Sequence, residues 1–157
     1  DGVPASTFSD LPLPTKSSVA FNFQDPKEVR IDLEGASDPL YVVLTKDSTD
    51  YIEFSIPTPA NDVLLAMMGG EIDATLDKWS EPVEIPDINK SIQMDTVARN
   101  GKKVQYTIVN GKISAKLSQA PGAEQPELLL IRVYKQAAIT AAGVKKPAFT
   151  REVLAAV

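Results

Sequence analysis

Cysteine and histidine are both absent from this sequence. Without cysteine there is no disulfide framework, no thiolate metal site and no thiol nucleophile. Without histidine there is no Ser-His-Asp triad, no imidazole ligand and no side chain whose ordinary pKa lies near neutrality. General acid–base work would fall to carboxylates, lysine or tyrosine with displaced pKa values. The sequence has no Walker loop, no GxGxxG fingerprint and no paired-aspartate phosphotransfer signature. Aromatic residues make up only 6%, with a single tryptophan, which is thin for a sugar-stacking cleft or an RNA-binding sheet. No apolar run approaches the roughly 20 residues of a membrane span. Asp1-Gly2-Val3-Pro4 lacks the charged and then apolar build of a signal peptide. These absences predict a protein that works through its surfaces, with no enzymatic centre, no cofactor and no resident metal.

What is present suits one globular domain. The chain has 157 residues, 43% of them hydrophobic, enough for a core of ordinary size. The net charge of −5 conceals a steep division along the chain. Residues 1–46 carry −3, residues 47–87 carry −9 with Lys78 as their only base, and residues 88–157 carry +7. Either these blocks scatter over a folded surface, or they form two opposed charged faces through which copies of the chain stack.

Residues 1–17 contain Pro4, Pro12 and Pro14 and read as an extended arm. Phe8, Leu11 and Leu13 give that arm apolar groups with which to dock on a neighbour. Strand patterns follow in quick succession. Val19, Phe21 and Phe23 alternate with smaller or polar residues, as do Val29, Ile31 and Leu33, and then Ile52, Phe54 and Ile56. Leu40 to Thr45 is apolar on both faces, and Tyr41, Val42 and Val43 favour strand. Asp25-Pro26, Glu34-Gly35, Asp38-Pro39 and Lys46-Asp47-Ser48 separate these runs as turns. One short helix is expected after Thr58 as N-cap and Pro59, with Val63, Leu64 and Met67 on one face and Gly69-Gly70 as its stop. It is either a core-packing helix or, through Met67 and Met68, an adaptable contact surface.

Residues 71–90 read as an acidic, proline-punctuated loop around Trp79, which is either a structural plug or an interface anchor. Val83 to Ile85 could pair there at a sheet edge. Ile92 and Met94 alternate within another strand. Asn110-Gly111 is the favoured pair for a two-residue type I′ turn. Such a hairpin sets Ile108 against Ile113, Tyr106 against Ala115 and Val104 against Leu117. Its other side carries Thr107, Ser114, Gln105 and Lys116. Leu128 to Tyr134 reads as a strand buried on both faces. Beyond Gln136 the chain is alanine-rich, and Thr150 to Val157 admits a helix capped by Thr150, with Glu152 in its first turn. The expected architecture is therefore mainly β: an antiparallel β-sandwich or barrel over residues 18–136, with one short helix and extended terminal arms at 1–17 and 137–157.

The acids Glu71, Asp73, Asp77, Glu81, Glu84 and Asp87 are the one constellation that resembles a metal or glycosidase site. Glu71 to Asp77 lacks the mid-loop glycine and closing glutamate of an EF-hand, and the scarcity of aromatics weighs against glycoside hydrolysis. The bases of the second half are interspersed along strands without a base-stacking set, which weighs against specific nucleic-acid binding.

The run Phe54-Ser55-Ile56-Pro57 followed by Val63-Leu64-Leu65-Ala66-Met67-Met68-Gly69-Gly70 resembles the strand, short helix and Gly-Gly turn of major tail-tube proteins of siphophages and podophages. Trp79, Pro82, Ile88-Asn89-Lys90-Ser91-Ile92, Val109-Asn110-Gly111-Lys112-Ile113-Ser114-Ala115 and Leu128 to Tyr134 follow in a similar order, so the resemblance covers about residues 50–136. It implies a virion structural protein, assembled in the host cytoplasm, that closes into a ring and stacks into a tube conducting DNA. The implied partners are copies of itself and other virion proteins, with DNA as non-specific cargo and no membrane. Family members often have an electronegative lumen, which keeps phosphates from sticking. On this reading Phe8, Leu11, Leu13, Met67, Met68, Trp79, Phe149 and Val153 are the expected assembly contacts. Glu71, Asp73, Asp77, Glu81, Glu84 and Asp87 are the expected channel or stacking face. A capsid decoration (cement) protein shares most of these features, and a carbohydrate-binding or adhesive β-sandwich is the alternative from another class.

Overall fold

The computed structural model describes residues 2–46 and 49–155. Asp47 and Ser48 of the expected turn, Ala156 and Val157 of the expected helix, and Asp1 of the arm lie outside the described residues. The fold is mainly β, a curled antiparallel sheet with one helix, as expected. In chain order the elements are β1 (Ala20–Asn22), β2 (Lys27–Ile31), β3 (Tyr41–Thr45), β4 (Tyr51–Pro57), α1 (Asn61–Met68), β5 (Glu71–Asp73), β6 (Lys78–Ser80), β7 (Asn89–Asp95), β8 (Lys102–Gln119), β9 (Leu128–Lys135), β10 (Ala138–Ile139), β11 (Lys145–Lys146) and β12 (Phe149–Ala155). The main sheet runs β1-β4-β9-β8-β12, with β7 also paired to β8.

The period-2 pattern of β4 sets the core. Ile52, Phe54 and Ile56 point to one face, in register with Val133, Ile131 and Leu129 of β9. Ile113 of β8 continues that face beside Val133. Helix α1 closes over it with Val63, Leu64 and Met67. Each such side chain contributes about 1.5–3 kcal/mol through removal from water. Only one face of β9 is fully buried, so the expectation of double burial gives way to simple alternation. The helix begins two residues later than expected. Thr58 has φ +46 and donates its N–H to the Glu127 carbonyl at 2.8 Å, which leaves Ala60 as an N-cap without a side-chain bond. Gly69 ends the helix at φ +74, as expected.

The largest correction concerns β8. Asn110-Gly111 forms no turn; β8 runs straight through it for 18 residues. The two-residue turn falls on the other Asn-Gly pair, Asn100-Gly101, whose φ values are +52 and +70 and whose flanks Arg99 and Lys102 exchange backbone hydrogen bonds of 2.8 and 3.0 Å. The reason is the number of ladders at stake. Unbroken, β8 pairs with β7 over Gln105–Lys112, with β12 over Lys102–Ile108 and with β9 over Gly111–Gln119; folded back on itself it would leave those strands unpaired. Asn110 sits where β9 departs and β12 arrives. Its carbonyl accepts the Gln136 N–H at 3.0 Å and its Nδ2 donates to the Ala137 carbonyl at 3.1 Å, while Val109 N–H meets the Ala148 carbonyl at 3.1 Å. Gly111 permits a close approach here, since a Cβ would collide with Val133 Cγ1. Ile108 and Ile113 lie five residues apart, on opposite faces of a flat strand, yet both are buried because β8 passes from one wall of the curled sheet to the other.

The two ends of the sheet approach each other through aromatic contacts. Phe21 of β1 lies 5.1 Å from Tyr106 of β8, and Phe23 lies 5.2 Å from Phe149 of β12, ring centre to ring centre. The expected C-terminal helix is instead β12, in register with β8 over seven residues. An isolated eight-residue helix is marginal in water, whereas the free edge of β8 supplies a ready ladder.

Candidate functional site

The expected contact residues fall into different environments. Met67 is core and is withdrawn as a surface contact, while Met68 is half-buried. Trp79 is also half-buried, and its Nε1 donates to the Gly69 carbonyl at 2.9 Å, so it plugs the helix stop against the β5–β6 hairpin. Phe149 belongs to the aromatic closure. Within the N-terminal arm, Leu11 packs on the core and Thr15 N–H donates to the Ser55 carbonyl at 2.8 Å, so this stretch docks on its own chain. Phe8, Leu13 and, on β12, Val153 remain exposed, Leu13 at 86%.

The acidic residues do not converge. Glu71 and Asp73 lie on β5. Asp73 Oδ1 accepts the Thr75 and Leu76 N–H groups, and Asp77 is held by Asn61 Nδ2 at 2.8 and 3.0 Å. Glu81 and Glu84 are exposed on the following loop. Asp87 is held below the usual carboxylate range by its bond to Lys112 and then by Asn89. Among the described residues no group of three or more acids is arranged to hold a metal. The loop expected to pair at an edge does not; Val83 and Ile85 stand fully in solvent. They rim a groove of about 490 Å³ whose opposite walls include Met68, Ile113 and Tyr134.

The charge blocks of the sequence interleave in space. Glu53 pairs with Arg132 at 2.5 Å, Asp87 with Lys112 and Asp50 with Lys135, each joining the acidic block to the basic one within a single chain. Two wholly opposed faces are therefore not formed. Among the described residues Glu71, Asp73, Asp77, Glu81 and Glu84 form no ion pair, and Lys78 stands opposite Asp73 in the β5–β6 register.

The surface feature that sequence reasoning missed is the β2–β3 hairpin. Among the described residues these strands pair only with each other, and neither contributes to the core. The register sets Val29 against Val43 and Ile31 against Tyr41, so one face of the ribbon is apolar. The other face carries the Glu28–Arg30 pair with Val42 and Leu44. Every residue of β2, and all of β3 but Thr45, is exposed. The Leu40–Thr45 run, expected as strand, forms β3 and supplies half of this open face. Periodicity reports which residues share a face, not whether the chain covers it.

The hairpin is fastened at its base by a buried carboxylate. Asp50 accepts the Gln24 N–H at 3.1 Å and the Lys46 ammonium at 2.6 Å, which are residues on either side of the hairpin, and also the Lys135 ammonium from the end of β9. Burial alone would raise the Asp50 pKa. The bonds from Lys135, Lys46 and Gln24 outweigh it and bring the value down to about 2. One carboxylate thus ties both legs of the projection to the sheet. Among the described residues no helix is long and apolar enough to cross a membrane. The sequence matches no protein-family model and no curated protein.

Proposed function

We propose that this chain is a non-enzymatic virion structural protein, a tail-tube subunit of a tailed bacteriophage that assembles with copies of itself into stacked rings conducting DNA. The observation that carries the reading is where the uncovered apolar groups sit. The core is small and closed, while large apolar side chains stand in solvent on appendages: Leu13 of the arm, the β2–β3 ribbon, Val83 and Ile85 of the acidic loop, and Val97 of a turn. Contiguous exposed apolar surface marks a contact site, and several such sites around one core suit a subunit with neighbours on more than one side. The exposed acids Glu71, Asp73, Asp77, Glu81 and Glu84, spread over residues 71–84, suit a surface that repels phosphate. Negative-stain microscopy of the purified chain across a concentration series tests the reading. Rings or tubes as wide as a phage tail are expected; a monomer at the highest concentration overturns it.

A second reading, capsid decoration, is favoured by Leu13 alone, an apolar side chain held out on an arm whose neighbours Leu11 and Thr15 are already docked. Binding to expanded empty capsids that is lost in Leu13→Asp would support it in place of the tube.

A further inference from the structure

We infer that the β2–β3 hairpin is an assembly arm that docks on a second copy of this chain, head to tail, with its acidic turn meeting the basic β7–β8 end of the neighbour's sheet. The inference rests on the self-assembly reading above and names the surfaces that would perform it.

The hairpin needs a cover. A two-stranded ribbon with no third strand and no helix against it is marginal in water, and this one presents Val29, Ile31, Tyr41 and Val43 on one face, each 39–52% exposed. Leu33, Leu40, Val42 and Leu44 add to the exposed surface. The four side chains of the apolar face by themselves leave roughly 300 Å² in solvent, the size of the largest patch of an ordinary monomer, which is often a functional one. The bonds to Asp50 fix the hairpin at its base.

Charge selects the occupant. The turn between the strands carries Asp32, Glu34 and Asp38 and no base from residue 32 to residue 40. At the Asn100-Gly101 turn the chain carries Arg99, Lys102 and Lys103 and no acid from residue 96 to residue 104. Lys103 is engaged by Asp95 at 2.6 Å, while Arg99 and Lys102 are exposed and, among the described residues, in no ion pair. The end of β12 lies in register beside them, Ala155 opposite Lys102 and Val153 opposite Val104, and brings exposed Arg151, Glu152 and Val153, so Arg99 and Lys102 supply the excess of positive charge. Val97 of the turn is 87% exposed. This end of the sheet therefore offers both the positive charge and the apolar contacts that the hairpin lacks. Donor and acceptor are different surfaces of one chain, so the contact is heterologous and propagates into a ring or an open stack, not a closed symmetric dimer.

The absence of native cysteine makes the test direct. Glu34→Cys and Lys102→Cys are made in separate preparations, mixed under mild oxidation and run on a non-reducing gel. A crosslink that needs both variants is expected, with Glu34→Cys alone and Lys102→Cys alone giving at least ten-fold less. In parallel, Val43→Asp on the apolar face and the triple change Asp32→Lys, Glu34→Lys, Asp38→Lys are followed by sedimentation velocity, with circular dichroism as the check on folding. Each is expected to weaken self-association at least ten-fold with the strand signal unchanged. Adding Arg99→Glu and Lys102→Glu to the triple variant is expected to restore it. If rings or tubes form but neither the crosslink nor the variants show an effect, the hairpin inference fails and the tail-tube reading stands. If the crosslink forms in small closed oligomers only, the tail-tube reading fails and the hairpin contact stands. A chain that stays monomeric, or a hairpin that binds only a different protein, overturns the inference.

Discussion

Replacing Asp50 by asparagine keeps the shape of the staple at the hairpin base and removes its charge. The folded-state pKa of about 2 lies below the ordinary value of 3.8. At about 1.36 kcal/mol per pKa unit, the ionised carboxylate contributes about 2 kcal/mol to stability at neutral pH. The side chain is only 1% exposed, so solvent screening removes little of this. Because the folded-state pKa lies below the unfolded one, the contribution is fully present above about pH 4 and is lost as the pH falls through about 2. Asp50→Asn is therefore expected to lower stability at pH 7 by about 2 kcal/mol, or the melting temperature by about 4–8 °C for a domain of this size. Asp50→Ala, which also strands the Gln24 N–H, costs more, about 3 kcal/mol. Urea titrations at several pH values check the size and the sign: the gap between wild type and Asp50→Asn closes between about pH 4 and pH 2. Hydrogen exchange checks the location, with amides of residues 24–46 losing protection before those of β9. A gap that is absent at pH 7, or that stays constant down to pH 2, would refute the assignment of Asp50 as the ionic clamp.

Two glycines separate the observed path of β8 from the expected hairpin. Gly111→Ala places a methyl group against Val133 Cγ1 and costs about 1–3 kcal/mol by overpacking, measurable by chemical denaturation. Gly101→Ala meets open space and costs about 1 kcal/mol through its positive φ alone; equal open-space behaviour at both positions would contradict the long strand. Trp79→Phe removes the bond to the Gly69 carbonyl and is expected to cost about 1 kcal/mol. As the single tryptophan, Trp79 also reports unfolding by a red shift in emission, and a native spectrum already at the solvent-exposed position would count against its role as a plug.

The alternation of Ile52, Phe54 and Ile56, the helix face of Val63, Leu64 and Met67, and the Gly69 stop were legible in the sequence because each depends on near neighbours along the chain. The absence of cysteine and histidine likewise settled at once which chemistries the protein lacks. What needed the tertiary structure was every choice between equal local signals. Asn100-Gly101 and Asn110-Gly111 have the same turn chemistry; the first became the turn because an unbroken β8 satisfies the ladders of β7, β9 and β12 together. Thr150 to Ala155 had helix-forming composition and became strand because β8 had an open edge. The sequence left open whether the acidic and basic blocks scatter or form two faces, and the pairing of Glu53, Asp50 and Asp87 with bases of the second half decided against two separate faces. The same limit hid the β2–β3 ribbon: Val29, Ile31, Tyr41 and Val43 read as strand from their pattern, but whether an apolar face is covered depends on what else the fold places against it, and among the described residues no third strand joins this ribbon.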